Sequence, residues 1–290
     1  MDIRRLNAFV KIVDIGSITR ASAILHIAQP ALSQQIVALE THFGKPLLLR
    51  SKRGVTPTEA GKVLYRHCQL ILKQLDQTQL EISSASEEIS GLVSVGLAPL
   101  GLGSLLAAQL IEIINKEYPG IVLYINENVG GGTMSELVMT GKMDVALIFE
   151  PGKIPSVEFT RICTEELHLV SADPTIFADK TEITLEEAIA LPLFLPSKIH
   201  TIRQVIDITL SRSNLTTRPI AETESIAVLS NAIGEGLGAT ILPQSAARAV
   251  MRRVPEAQSI RIHKPNMKIN MSICVSSQLP LSEAATVVQS

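Results

Sequence analysis

The stretch SITRASAILHIAQPALSQQIVALETHFGKPLLLRSKRGVTPT, Ser17 to Thr58, decides the fold, because it spells a short helix, a turn, a Pro-started helix and a basic hairpin in succession. Ser17 is suited to cap the first helix, whose Ile18, Ala21 and Leu25 share an inner face, and His26 to Gln29 make a tight turn. Pro30 opens the next helix where its missing N–H leaves no bond unmade. Leu32, Ile36, Leu39 and Phe43 then form one apolar stripe, and Gly44 ends it. The opposite face carries Gln29, Pro30, Ser33, Gln34 and Val37. These are amides, a hydroxyl and compact apolar groups, which suit base edges and thymine methyls in the major groove of DNA.

An upstream helix with Leu6, Phe9, Val10 and Val13 on one face completes a three-helix core. Behind it, Pro46 to Thr56 sets Leu47 to Leu49 beside Arg50, Lys52 and Arg53 around Gly54, the pattern of a two-stranded wing. Its cations are placed to lie along phosphates or to enter the minor groove. By itself, a basic run of this kind on a hairpin is an ordinary solvated cluster. Next to a helix with an uncharged outer face it reads as a DNA contact.

Charge is distributed accordingly. Residues 1–66 hold ten Lys and Arg against four acids, a net of +6, whereas the remainder carries −8, although the chain as a whole has only −2. Attraction for a polyanion is thereby confined to one end. Cys68, Cys163 and Cys274 are far apart and lack any Cys-x-x-Cys spacing, so neither a zinc site nor a disulfide framework is indicated, and a reducing cytoplasm fits. The charges among the first thirty residues leave no apolar signal core. From Gly91 to Ile111 no residue is charged, but Pro99 and four glycines divide this run into a strand, a turn and a helix start, so no membrane span is expected.

The residues that carry this reading also carry a family resemblance. Ser17-Ile18-Thr19-Arg20-Ala21-Ser22, Ala28-Gln29-Pro30-Ala31-Leu32-Ser33-Gln34-Gln35-Ile36, Leu39-Glu40, Phe43-Gly44, Leu47-Leu48, Arg50 and Thr56-Pro57-Thr58-Glu59-Ala60-Gly61 resemble the amino-terminal signature of LysR-type transcriptional regulators. Ser22 stands where that family more often has Ala, and His26 where it often has Asn. Arg50-Ser51-Lys52-Arg53-Gly54-Val55-Thr56-Pro57, Leu193-Phe194-Leu195-Pro196-Ser197 and Glu224-Ser225-Ile226-Ala227 are similar to a nitrogen-assimilation branch of it. The resemblance implies an α/β chain: an N-terminal winged helix-turn-helix, a long linker helix, then a periplasmic-binding-protein-like effector domain of two α/β subdomains.

The expected boundaries follow. Residues 1–58 form the DNA-binding domain, 59–90 the linker dimerisation helix and 91–290 the effector domain, with subdomain I at 91–161 and 266–290 and subdomain II at 162–265. In the linker, Leu64, Cys68, Ile71, Leu75, Thr78, Ile82, Ala85 and Ile89 recur with a seven-residue period, which points to pairing with a second copy. The alternative is a long helix packed on its own domain. Beyond Gly91, short strand–helix–strand units imply a parallel sheet covered by helices, with two crossings near residues 160–164 and 264–268. The last helix, opened by Ser282, reads as interrupted at Ser290, so a few further residues are expected.

In open α/β sheets a ligand sits beyond the carboxyl ends of strands, against helix amino termini. That rule places the tentative effector site at Pro99, Leu100, Ser104, Gly131, Thr133, Ser197, Thr201, Arg203 and Ser225. Regulators of the family often have Ser or Thr directly after the first strand's proline; here Ser104 is displaced. Arg203 is the nearest cation, and Glu127, Glu150, Glu222 and Glu224 crowd the rim. Four carboxylates leave a neutral effector, a cationic one or none, the last favoured.

Neither a catalytic nor a metal reading gains support. No His-x-x-x-His and no Gly-x-Ser-x-Gly is present, the six histidines are scattered, and Gly234-Glu235-Gly236-Leu237-Gly238 follows a helix rather than preceding one. No enzyme activity, cofactor or metal is expected. Two lysines and three arginines between Arg20 and Arg53 are too few for a DNA-packaging protein. The reading that results is a cytoplasmic regulator. Ser17, Gln29, Pro30, Ser33, Gln34, Arg50, Lys52 and Arg53 meet double-stranded promoter DNA, as a homodimer or homotetramer, with RNA polymerase as a further contact.

Overall fold

The computed structural model describes residues 2–51, 54–83, 88–127, 131–178 and 180–290. It divides into an amino-terminal unit and a carboxy-terminal unit that begins at Glu88.

The amino-terminal unit contains α1 (Ile3–Ile15), α2 (Ile18–Leu25), α3 (Gln29–Phe43), strands β1 (Leu48–Ser51) and β2 (Gly54–Pro57), and α4 (Glu59–Ser83). The helix starts obey local chemistry. Asp2 caps α1 by accepting the Arg4 N–H at 3.1 Å, Ser17 caps α2 by accepting the Arg20 N–H at 3.3 Å, and Pro30 lies in the first turn of α3. His26 ends α2 in the left-handed region, with φ 54°, a conformation that Asn and His adopt more readily than other side chains. The Asn-to-His difference from the family pattern therefore preserves the turn.

Leu6, Phe9, Ile12, Leu32, Ile36, Leu39, Leu47 and Cys68 are all fully buried in one core. Two expectations change. Phe43 is 41% exposed, so the apolar stripe of α3 is covered only as far as Leu39. Ile12 and Ala8 are buried beside the anticipated stripe of α1, since α1 packs against α4 as well as α2 and α3. The seven-residue repeat of the linker is divided for the same reason. Leu64 and Cys68 serve this core and Ile89 packs into the second unit, while Ile71 and Ile82 are exposed and Ala85 lies outside the described residues.

The wing is an antiparallel pair, Leu48 opposite Pro57 and Ser51 opposite Gly54. One carboxylate ties it to α3: Glu40 accepts the N–H groups of Leu47, at 2.8 Å, and Leu48, at 3.2 Å. The Val55 N–H reaches the Gly16 carbonyl at 2.9 Å, and Thr58 donates to the Pro46 carbonyl at 2.8 Å while accepting the Gly61 N–H at 3.0 Å. Gly61 admits the close approach of α4 to the wing, because a Cβ there would land on the Leu47 carbonyl oxygen.

The carboxy-terminal unit begins with strands β3 (Gly91–Leu97), β4 (Ile121–Asn126) and β5 (Val145–Phe149), alternating with α5 (Gly103–Glu117) and α6 (Gly131–Met139). It continues through β6 (Val157–Ser171), β7 (Glu182–Thr184), α7 (Leu185–Ile189), β8 (Leu193–Leu195), α8 (Thr201–Arg212) and β9 (Ala221–Glu222). Then come α9 (Ile226–Gly234), β10 (Ala239–Pro243), α10 (Gln244–Arg253), β11 (Gln258–Lys264), β12 (Lys268–Ser276) and α11 (Glu283–Gln289). The run from Gly91 to Ile111 is the strand, turn and helix start that its glycines and proline predict, and among the described residues no helix is long and apolar enough to cross a membrane.

The sheet is mixed rather than parallel. β3 is parallel to β4 and β5, but β12 runs antiparallel to both β5 and β6. β6 belongs to both halves. It pairs with β12 from Val157 to Glu166, then with β10 from Leu167 to Ser171 and with β11 from His168 to Ser171. Strands that carry the chain between two halves must run against the βαβ direction, and no period-of-two pattern signals this.

At the shared strands Glu150 accepts hydrogen bonds from Ser272, from Arg161 at 3.2 Å and from Asn270 at 3.3 Å, while Thr164 holds the Asn270 side-chain oxygen at 2.8 Å. Burial alone would raise the pKa of the Glu150 carboxyl, but the Ser272, Arg161 and Asn270 bonds outweigh it and hold the group below the usual carboxylate range.

Gly61→Ala should destabilise the amino-terminal unit by about 1–3 kcal/mol, the cost of overpacking against rigid backbone, and denaturant unfolding of parent and variant measures it. Glu150→Gln should behave differently. Since the folded-state pKa is depressed, its ionised contribution is fully present above the ordinary carboxylate range and lost as pH falls through the lowered value. The stability gap from the parent should therefore be largest near neutrality and close in acid; a gap independent of pH would contradict the assignment.

Candidate functional site

Burial of one side of α3 settles which side is presented. With Leu32, Ile36 and Leu39 inside, Gln29, Pro30, Gln34 and Val37 are exposed and Ser33 is half-buried. None of these five side chains is charged, which is unusual for the exposed face of a helix. Ser17 sits at the amino terminus of α2, with its hydroxyl engaged as the cap. Arg50 is exposed on β1, and Arg20 reaches back to the Ile15 carbonyl at 2.8 Å. Lys52 and Arg53 lie outside the described residues. Glu40 escapes sequence reasoning: a glutamate on the flank of a helix looks like a solvated charge, and only folding brings two backbone N–H groups of the wing to it.

The carboxy-terminal unit contains a cleft of about 630 Å³ lined by Pro99, Leu100, Glu127, Glu224, Ser225, Ile226, Arg252 and Arg253, among others. Pro99, Leu100 and Ser225 are where the strand-end rule puts them. Leu100 is buried in the left-handed region, with φ 60°, a conformation costly for a branched side chain that its surroundings hold in place. Ser225 caps α9 by accepting the Val228 N–H at 3.3 Å.

The remaining expected cleft residues are elsewhere or occupied. Ser197 donates to Glu224 from behind the lining, Thr201 is buried at the start of α8, and Thr133 is exposed near the start of α6, which begins at Gly131. The Ser104 side chain and residues 128–130 lie outside the described positions. Arg203 is a correction. Only 4% exposed, it is held by Asp207 at 2.8 Å, Glu222 at 2.8 Å and the Pro196 carbonyl at 3.1 Å, so its guanidinium pins α8 to β9 rather than facing a ligand.

The crowded acidic rim is corrected too. Glu222 is consumed by Arg203 and Glu150 by Arg161, which leaves Glu127 and Glu224 at the cleft, facing two arginines that the strand-end rule does not find. Arg252 and Arg253 end α10, where cations also suit the helix dipole. The other end of α10 lacks a cap of its own, and Glu165 on β6 supplies one, accepting the Ser245 N–H at 2.7 Å and hydroxyl at 2.9 Å. Burial pushes the Glu127 carboxyl above its usual range, and Arg253 partly opposes this.

Beneath the lining, His200 is 1% exposed, caps α8 by accepting the Ile202 N–H at 3.2 Å on Nδ1, and meets the Phe149 ring edge-on at 6.3 Å. Burial lowers its pKa against the pull of Glu224, and its Nε2 finds no hydrogen bond of good geometry among the described residues.

Comparison with known proteins agrees with this division. A family described as "Bacterial regulatory helix-turn-helix protein, lysR family" matches residues 3–62, and one described as "LysR substrate binding domain" matches residues 86–288. The nitrogen assimilation regulatory protein nac of Escherichia coli (strain K12) is 40% identical over 289 residues, covering 100% of this chain and 93% of the relative. That of Klebsiella aerogenes is 38% identical with the same coverage. Among solved structures, a full-length OxyR variant from Pseudomonas aeruginosa shares the fold at a TM-score of 0.73, with 22% identity and 100% and 96% of the two chains covered.

Proposed function

This chain belongs to the LysR family of DNA-binding transcriptional regulators, and we propose that it controls nitrogen-metabolism promoters by reading them with the outer face of α3. What carries the reading is an uncharged polar face over a fully buried stripe: Gln29, Pro30, Ser33 and Gln34 meet base edges while Leu32, Ile36 and Leu39 anchor the helix. Ser17, at the start of α2, and Arg50, on the wing, lie along the phosphate backbone, and Lys52 and Arg53 extend that contact. The identity with the nac proteins over the whole chain supports the choice of promoters.

The active species in this proposal is a homodimer or homotetramer joined through the linker helices. Ile71 and Ile82, 41% and 75% exposed, find no cover within the described residues, and a second linker would bury them. Two heads then reach successive turns of DNA. An effector in the cleft alters the angle between halves that share β6, and through it the spacing of heads, DNA bending and contact with RNA polymerase. Regulation in the cytoplasm, rather than catalysis, is the function assigned.

Gln34→Ala should weaken binding to a footprinted promoter fragment by about 1–3 kcal/mol, concentrated at one base position, and leave affinity for random DNA unchanged. Arg50→Ala should weaken both DNAs alike and reduce the slope of log affinity against log salt by about one. Fluorescence anisotropy over a salt series separates the two. An equal loss on random DNA for Gln34→Ala would remove that side chain from base readout, and uniform nuclease protection along the fragment would favour packaging over regulation.

A further inference from the structure

We infer that the cleft takes a zwitterionic ligand of the amino-acid class, its anionic group received by Arg252, Arg253 and the first N–H groups of α9, and its ammonium by Glu127. This rests on the proposed reading of the cleft as an effector site. The argument begins with charge. The lining carries both signs, Glu127 and Glu224 with Arg252 and Arg253, so its formal charge is balanced. A dicarboxylate would satisfy the arginines and be repelled by the glutamates, and a polyamine would meet the reverse. A molecule carrying both charges suits a lining that carries both.

The groups concerned also stand outside any ion pair among the described residues, although Arg253 lies near enough for the Glu127 carboxyl to feel its charge. Among the described residues no ion pair engages Arg252, Arg253 or Glu127, whereas Glu222, Glu150 and Arg203, which sequence alone does not distinguish from them, are all paired. Ser225 uses its hydroxyl on the Val228 N–H and its carbonyl on the Leu229 N–H, which leaves the N–H groups of Ile226 and Ala227, both lining residues, without partners in the helix. An anion is favoured at that helix end. Leu100, Leu105 and Ala249 supply further parts of the lining, and among the described residues no aromatic ring lines the cavity, so the ligand's side chain is aliphatic or polar rather than stacked.

Position gives the site a route to the rest of the unit. The two arginines close one end of α10 and Glu165 of β6 holds the other, so a ligand that draws the arginines inward pulls on the strand common to both halves. Glu165 is a positioning residue in this scheme.

Isothermal titration calorimetry on the full chain, with the standard amino acids, their 2-oxo acids and their decarboxylated amines as probes, tests the assignment. At least one amino acid should bind, with its 2-oxo acid and its amine each about tenfold weaker or worse. Arg252→Gln combined with Arg253→Gln, and separately Glu127→Gln, should each weaken the amino acid about tenfold, and Glu127→Gln should narrow its advantage over the 2-oxo acid. None of the three is in the buried core, so each variant should keep the parent's circular dichroism, which checks that the fold is intact. An absence of amino-acid binding at millimolar concentration overturns the inference, as does a 2-oxo acid or amine as the tightest ligand; if the arginine variant abolishes that binding, the cleft reading survives and only the ligand class fails. Amino-acid binding undiminished in every variant puts the ligand elsewhere and sinks the cleft reading with it.

Discussion

Burial of Leu32, Ile36 and Leu39 against α1 and α2 is the constraint on which the amino-terminal unit depends. A helix cannot turn about its axis without exposing that stripe, and each such side chain contributes about 1.5–3 kcal/mol by leaving water. The rotation of α3 is therefore set by its apolar side. Gln29, Pro30 and Gln34 face outward as a consequence, with no interaction of their own needed to hold them there. The turn at His26 and the cap at Ser17 define where α2 ends and begins, and Glu40 makes the wing part of the same rigid body.

In the carboxy-terminal unit the corresponding constraint is a shared strand. β6 is hydrogen-bonded to β12 along its first part and to β10 and β11 along its last, so the two halves are joined by continuous backbone pairing. Motion between them must bend that strand near the Glu150, Arg161, Asn270 and Ser272 cluster, where every carboxylate oxygen has a donor. A hydrogen-bond network satisfied in full in one arrangement makes that arrangement distinct from its neighbours.

Legibility differs between the two units for a definable reason. The helices and caps of the amino-terminal unit, its apolar stripe and its wing depend on residues within a few positions of each other, and Ser17, Pro30, Gly44 and Gly54 mark their limits directly. Strands such as Val145–Phe149 and Ala239–Pro243, buried along their whole length, are equally plain as uninterrupted apolar runs. The short elements between Ala172 and Pro192 escape detection, since three-residue strands and a five-residue helix carry too little periodicity. The linker repeat promises more than the fold delivers, because Leu64 and Cys68 have the spacing of a dimer seam and also of a helix that covers its own core.

By itself, then, the order of residues determined the winged helix-turn-helix, the alternation of strands and helices, the charge asymmetry and the family, all of which are written in local spacing. Only the tertiary structure decided which charges are free. Arg203 and Glu222 stand nineteen positions apart and Glu150 and Asn270 one hundred and twenty, yet each pair is in contact, while Arg252 and Glu127, no more conspicuous in sequence, are left facing a cavity. Electrostatic partnership depends on distance in space, and chain spacing does not report that distance once strands from opposite ends of a domain pair side by side.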